Sequence, residues 1–538
     1  MTGGEAMVKS LVRNGVDTLF AIPGIQMDAF FNAAYDDRNL LRVIHTRHEQ
    51  ACAYMAFGYA EVSGRVGACA VVPGPGLLNA TAALSTAYAC NTPLLCLSGQ
   101  IPSDGIGRGF GLLHEIPDQL SLIKGLTKWA ERVEHPSKAP ELMREAFRQL
   151  QTGRLRPVEL EAPMDVLASS ADVTLLDPVA PMEEPEPDPD AIAAAAKLLG
   201  EAKRPMIMVG GGIKDAEEPL LALAEMLEAP VVMTRSALGA VSDHHYLAQK
   251  TVGGHRLWPK ADVVLAIGTR LHPTVPSWGL DDGIKIIRID VDPVELRRAG
   301  APDVGVVARA HPALSALVDA VPKHNAKRES MRNELTILTA ALNQEYHDEV
   351  GPQMAYLDAI RAALPDDGIV VEELTQVAYV ARFGLPMYRP RSYVSSGYQG
   401  TLGFGFGTAL GAKVAAPDRP VLSLCGDGGF MYQVQELSTA VQQQLQVVTL
   451  VFNDGAYGNV QRMQIEDYGG KVVGTDLHNP DFVALAESFG AQGLRATTPA
   501  EVKSAIERGF NTAGPTLIDV PLGKTPAPWK FLVLPRAR

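Results

Sequence analysis

Residues Val421 to Val460 read VLSLCGDGGFMYQVQELSTAVQQQLQVVTLVFNDGAYGNV, and the fold follows from this stretch. The mostly apolar run 421–425 has the length and content of a buried parallel strand. Gly426-Asp427-Gly428-Gly429 then reads as a turn whose glycines let backbone N–H groups come close to a ligand. A helix-like segment follows, with apolar side chains at Val434, Leu437, Ala440 and Val441. A second buried strand, 447–452, ends on Asn453-Asp454-Gly455. Two parallel strands joined by a helix bring Asp427 and Asp454 to one carboxyl edge of a sheet, where α/β proteins bind ligands. Two carboxylates beside a glycine-rich turn and a helix N-terminus suit a divalent cation that holds a phosphate. The other reading makes GDGG and NDG ordinary turns. Their pairing around one β–α–β unit favours the site.

That pairing resembles the signature of the thiamine-diphosphate enzymes, a Gly-Asp-Gly turn followed one β–α–β unit later by an asparagine or its equivalent. The asparagine position falls on Asp454 here, with Asn453 before it. The resemblance implies a Mg²⁺ held by Asp427, Asp454 and the backbone carbonyl of Ala456, with diphosphate oxygens and water completing an octahedron. Gly426, Gly428, Gly429, Tyr457 and Gly458 adjoin those ligands and are expected against the cofactor.

The chain has 538 residues, enough for about three domains of ordinary size. Apolar residues make up 46% and charged ones 20%, the balance of a core-forming chain and not of a disordered one. A net charge of −13 argues against nucleic acid and an anionic membrane as partners. It is silent on a small anionic substrate, which responds to the local field. Cys52, Cys69, Cys90, Cys96 and Cys425 include no CxxC pair, so neither a disulfide framework nor a zinc site is expected. The start, MTGGEAMVKSLVRNGVDTLF, has no long apolar core, and no apolar run reaches membrane-spanning length. The expectation is a soluble protein of the reducing cytoplasm.

Outward from the quoted stretch, strands that end in Gly/Pro loops and enter helices recur. Over 1–170, the strand 18–22 ends on Pro23-Gly24, 68–72 on Pro73-Gly74-Pro75-Gly76, and 94–97 on Ser98-Gly99-Gln100. Residues 177–190, DPVAPMEEPEPDPD, are Pro-rich and acidic and read as an exposed linker. A second unit, 188–322, has a strand at 205–209, a Gly210-Gly211-Gly212 loop, a helix at 216–227, and strands at 263–267 and 285–289. The last strand ends on Asp290-Val291-Asp292. Triple glycine and an acidic strand end leave two readings, a nucleotide site and a structural Rossmann-like unit. The missing GxGxxG spacing favours the second. Residues 323–350 read as a helical connector, and a third unit spans 352–538 with its first strand at 368–371. The fold class is therefore α/β, with three doubly wound parallel-sheet domains. The resemblance implies their roles: pyrimidine-binding, middle and diphosphate-binding.

Thr46-Arg47-His48-Glu49-Gln50-Ala51 precedes a helical pattern and resembles the family segment that supplies its essential carboxylate, matching at Glu49. A carboxyl group bonded to the cofactor's aminopyrimidine favours the imino tautomer, which can take the thiazolium proton. For that role Glu49 is expected to be buried, with a raised pKa. The alternative is a solvent-facing Glu at a helix start. His48 beside it reads as structural. Within Gly397-Tyr398-Gln399-Gly400-Thr401-Leu402, Gly400 and Leu402 match the family loop under the cofactor's ring junction, or else form part of an ordinary core. Thr375 and Gln376, after the first strand of the third unit, are placed to donate to the diphosphate, or simply to cap a helix. On the substrate side, Gln26 and Gln100 end strands of the first unit, and His114 lies where relatives carry a polar side chain. In the family that edge faces the cofactor of a partner subunit, which implies a homodimer or homotetramer with interfacial sites.

Within the family, Gln435-Glu436-Leu437-Ser438-Thr439-Ala440-Val441 resembles the acetolactate synthases, and Gly405-Phe406-Gly407-Thr408-Ala409-Leu410-Gly411 also resembles benzaldehyde-lyase-like enzymes. His244-His245 falls in the middle unit, away from the loop where pyruvate decarboxylases carry such a pair, and reads as surface. Residues 268–273, GTRLHP, depart from the flavin-contacting pattern, so FAD is left open. The expected activity is carboligation or lysis of 2-oxo acids or 2-hydroxy ketones with Mg²⁺ and thiamine diphosphate. Acyloin cleavage, non-ligating decarboxylation and a non-catalytic homologue are the alternatives.

Overall fold

Short runs of Val, Ile, Leu and Ala, each released by Gly, Pro or a capping residue, form eighteen strands in a computed structural model that describes residues 1–178, 180, 184–271 and 277–538. The first unit holds β1 (Thr18–Ala21), β2 (Arg42–His45), β3 (Gly67–Val71), β4 (Leu94–Gln100), β5 (Trp129–Arg132) and β6 (Val158–Pro163). The middle unit holds β7 (Pro205–Val209), β8 (Val231–Met233), β9 (Ala248–Lys250), β10 (Val263–Ile267), β11 (Lys285–Asp290) and β12 (Val304–Val307). The third holds β13 (Ile369–Glu372), β14 (Tyr393–Ser395), β15 (Val421–Gly426), β16 (Val447–Asn453), β17 (Gln492–Arg495) and β18 (Thr516–Pro521).

Every strand pairing among the described residues is parallel. The outer sheets share one order, β2-β1-β3-β4-β6-β5 and β14-β13-β15-β16-β18-β17. The middle sheet runs β12-β11-β10-β7-β8-β9, the doubly wound order of nucleotide-binding folds. In such sheets the chain leaves neighbouring strands in opposite directions at one point, and the crevice there faces the carboxyl ends. In the third sheet that point is between β13 and β15, paired in register from Ile369↔Val421 to Glu372↔Leu424. The loops carrying Thr375 and Asp427 therefore start side by side.

The outer units are fused through two helices. Helix Glu49–Ser63 is buried almost throughout and crosses helix Gly405–Ala415. The crossing is backbone against backbone: a Cβ on Gly58 would stand 2.1 Å from the Thr408 carbonyl oxygen, and one on Gly411 1.9 Å from that of Met55. Phe404 fills the space beside it, edge-on to Tyr54 and Phe57 at 5.5 Å. One face of the third sheet, Ile369, Val371 and Val421, joins this shared core. The other face, Val370, Leu422 and Leu424, packs with helix Arg332–Ala363 and the middle unit.

Several elements depart from expectation. The connector expected at 323–350 becomes helix Arg332–Ala363, which bends at Val350 and carries Pro352, so residue 352 lies inside a helix. The GDGG segment is no turn: Asp427–Phe430 is a short helix that starts straight from β15. β4 runs on through Ser98-Gly99-Gln100 because β6 continues to pair with it. Of the expected linker, residues 179 and 181–183 lie outside the described residues, as do His272 and Pro273 of the GTRLHP stretch. His244 is exposed and stacks on Tyr388, as a surface pair would. All five cysteines are free. Among the described residues, no helix is long and apolar enough to cross a membrane.

Candidate active site

Asp427 opens its helix at the end of β15 and is buried. Its Oδ1 accepts from the Gly428 N–H at 2.9 Å, and its Oδ2 from the Gly455 N–H at 2.9 Å and Asn479 Nδ2 at 2.6 Å. Asp454, one residue past β16, keeps an accessible carboxylate whose Oδ1 accepts from the Ala456 N–H at 3.3 Å. Gly458 leaves room for this carboxylate: a Cβ there would meet Asp454 Oδ2 at 2.2 Å and displace it. Burial raises the Asp427 carboxyl; surrounding protein and then the Asp427 charge push Asp454 up to about 6. A carboxylate raised by a neighbouring carboxylate's charge is relieved by a cation beside the two. Among the described residues no group of three or more His, Cys, Asp or Glu could hold a metal, so a cation at this edge would need a backbone oxygen beside the two carboxylates. The Ala456 carbonyl accepts no backbone hydrogen bond outside regular elements among the described residues and fits that place.

Glu373 explains the last glycine of GDGG. Its carboxylate is fully enclosed and accepts from the Gly403 N–H at 3.0 Å and the Gly405 N–H at 2.6 Å. Its Oε1 stands 1.6 Å from where a Gly429 Cβ would be. Gly429 is thus dictated by a protein side chain rather than by room for a ligand, and burial pushes Glu373 up to about 7. Thr375 Oγ1 accepts from the Val377 and Ala378 N–H groups, the helix-capping alternative for that residue. Gln376 keeps a buried amide oxygen with no hydrogen-bond partner among the described residues. Gly400 (φ 57°) and half-buried Leu402 line a cavity of about 580 Å³ with Ala82, Ser85, Gln399, Thr401 and Tyr432.

On the first unit, His48 caps helix Glu49–Ser63, its Nδ1 accepting from the Gln50 N–H at 3.2 Å. Glu49 departs from expectation in being half-buried; Asn79 donates to its Oε2 at 3.0 Å. No hydrogen bond among the described residues joins Glu49 to the third unit. Gln26 and His114 do meet: Gln26 Oε1 lies 3.1 Å from His114 Nδ1, and Gln26 Nε2 donates to the Leu113 carbonyl at 3.0 Å. Gln100 stands at the same edge, its Nε2 donating to Glu161 at 3.3 Å and its Oε1 accepting from the Ile101 N–H at 2.7 Å.

Three residues were not singled out from sequence. Asn479 links Asp427 to Asn453, whose Oδ1 it also bonds at 2.9 Å. Glu436, fully buried, accepts the Arg47 N–H at 3.0 and 3.1 Å and the Thr439 hydroxyl at 2.6 Å, and so holds the turn leading into Glu49. Gln119 ties the Gly74, Gly99 and Glu161 segments together. Glu436 lay inside a run already noticed; neither Asn479 nor Gln119 has a local signal.

Family models for the thiamine pyrophosphate enzyme match this chain in three places: the N-terminal TPP binding domain over 1–122, the central domain over 192–317 and the C-terminal TPP binding domain over 375–520. Among curated relatives, a probable 2-ketoarginine decarboxylase of Pseudomonas aeruginosa is 34% identical over 97% of this chain and 94% of its own length. A probable acetolactate synthase large subunit of Methanocaldococcus jannaschii is 35% identical over 97% and 92%. A sulfoacetaldehyde acetyltransferase of Castellaniella defragrans is 31% identical over 97% and 93%.

Proposed function

We propose that this chain, which belongs to the thiamine pyrophosphate enzymes, is an acetolactate-synthase-like carboligase or lyase that acts on 2-oxo acids or 2-hydroxy ketones with Mg²⁺ as its metal. The observation that carries the metal assignment is a pair of raised carboxyls at the ends of two adjacent strands, Asp427 raised by burial and Asp454 by burial and then by the Asp427 charge. Bound thiamine diphosphate supplies a carbon nucleophile for a substrate carbonyl and accepts the electron pair released when the neighbouring C–C bond breaks. Asp427, Asp454 and the Ala456 carbonyl hold the cation, which carries the diphosphate. Gly426, Gly428 and the turn at Thr375-Gln376 border that end, where the Gln376 amide oxygen has no hydrogen-bond partner among the described residues. Leu402 and Gly400 support the rings above the cavity.

Glu49 hydrogen-bonds the aminopyrimidine, a role that calls for more cover than the half-buried setting one chain provides. A second copy provides it. Apolar side chains stand exposed on both edges, Ile25 (56%) and Leu113 (62%) on the first unit, Tyr432 (50%) and Val460 (50%) on the third. The working form is a homodimer, or a homotetramer built from it, with Glu49 of one copy over the Asp427 edge of the other. The cytoplasm, where five free cysteines stay reduced, is its compartment.

Product analysis with purified protein, Mg²⁺ and thiamine diphosphate tests the reading. Acetolactate from pyruvate supports a synthase, and benzaldehyde from benzoin without CO₂ supports an acyloin lyase. Acetaldehyde alone would make it a simple decarboxylase. Glu49→Ala is expected to lower whichever rate is found by about 10²-fold or more. Full activity in that variant would refute the role of Glu49.

A further inference from the structure

We infer that Gln26 is a positioning residue that locks His114 in its Nδ1–H tautomer, so that the Nε2 lone pair accepts a hydrogen bond from a substrate hydroxyl. The inference rests on reading the first-sheet edge as the substrate side. The Leu113 carbonyl can only accept, so the Gln26 amide presents Nε2 to it, at 3.0 Å. Oε1 then faces His114 Nδ1 at 3.1 Å, and an amide oxygen also only accepts. The proton is therefore on Nδ1. Turning the amide over would set two oxygens against each other at the Leu113 contact, in a side chain only 3% exposed, where water cannot repair the loss.

The backbone holds both partners in place. His114 sits in the left-handed region (φ 68°), a conformation that persists only where surroundings impose it. The Gly74 backbone presses on it: a Cβ there would lie 2.3 Å from the His114 carbonyl oxygen. Gly74 is pinned in turn, its N–H donating to Gln119 Oε1 at 2.8 Å. The same Gln119 donates to the Gly99 carbonyl at 3.0 Å and to Glu161 Oε2 at 2.8 Å. Gly99 packs beneath Gln26, whose Cβ would be 3.2 Å from an added Gly99 Cβ. One buried amide thus fixes the backbone under Gln26 and under His114. His114 Nε2 has no hydrogen-bond partner among the described residues.

A neutral imidazole in this form cannot donate from Nε2 to a carbonyl oxygen; it takes a hydrogen bond from an O–H group. The preferred partner at this edge is therefore a hydroxyl-bearing group such as that of a 2-hydroxy ketone. The test is ¹⁵N NMR of histidine-labelled, cofactor-free protein at about pH 8, above the ordinary imidazole range. His114→Asn identifies the signals. The wild type is expected to show a protonated Nδ1 and an unprotonated Nε2 at His114. Gln26→Met, which removes both hydrogen bonds, is expected to give mixed tautomers. A protonated Nε2 in the neutral wild-type ring, or an unchanged tautomer in Gln26→Met, overturns the inference. Because no cofactor or substrate enters this measurement, its failure is distinct from failure of the thiamine reading. In the loaded enzyme, Gln26→Met is expected to lower kcat on 2-hydroxy ketones about tenfold with thiamine diphosphate affinity unchanged.

Discussion

The first and third units thread six parallel strands in the same order, yet their carboxyl edges carry different chemistry. The third edge gathers Asp427, Asp454, Glu373 and tight glycines, a place for a cation and a phosphate. The first gathers Gln26, Gln100, His114 and a half-covered Glu49, neutral amides and one carboxyl. Strand order decides where loops converge, and the loop residues alone decide what is bound there. Neither edge is complete without the other kind.

The comparison breaks most completely at the metal. Asp427→Asn is expected to weaken Mg²⁺-dependent binding of thiamine diphosphate by about 100-fold in calorimetry while leaving the first edge intact. The join between the units is the next target. Gly411→Val drives a side chain into the Met55 carbonyl, and a loss of about 3 kcal/mol or more in denaturant unfolding is expected. A smaller effect comes from Glu436→Ala, which frees the Arg47 N–H that a carboxylate of the third unit now holds. About 2 kcal/mol is expected, with Glu49 loosened as well.

The least effect sharpens the contrast in charge. Glu373 is raised in the folded state from 4.5 to about 7, so the native protein binds the extra proton. Its contribution to stability is complete below about pH 4.5 and is lost as pH rises toward 7. Thermal melts of the cofactor-free protein are expected to show that decline in the wild type and a flatter profile in Glu373→Gln.

Much of this was legible in the sequence because the signals are local. Apolar runs ending at Gly, Pro or Asp marked β1, β3, β7, β10, β15 and β16 to within a residue or two, and the parallel architecture followed from them. The Asp427 and Asp454 placement needed only the period of one β–α–β unit. The misreadings have physical causes. Four residues of GDGG look like a turn, but β15 feeds a helix directly, and Glu373 occupies the space that Gly429 leaves. Ser98 and Gly99 look like a loop, yet β6 holds them in the sheet. Glu436 meets Arg47 across 389 positions of chain, and Asn479 meets Asp427 across 52, so no local pattern announces either. Burial of Glu49 was misjudged because, within one chain, Asn79 is the residue whose side chain bonds it, and the carboxyl stays half-covered.

Mixing Glu49→Ala with Asp427→Asn tests most directly whether the two edges meet between copies. Each variant alone lacks one half of every site. Co-expressed chains are expected to form hybrid dimers in which one of two sites is whole, recovering about a quarter of the wild-type activity. No recovery, with hybrid dimers shown to be present by mass spectrometry, would contradict the account and place both edges of a site in one chain.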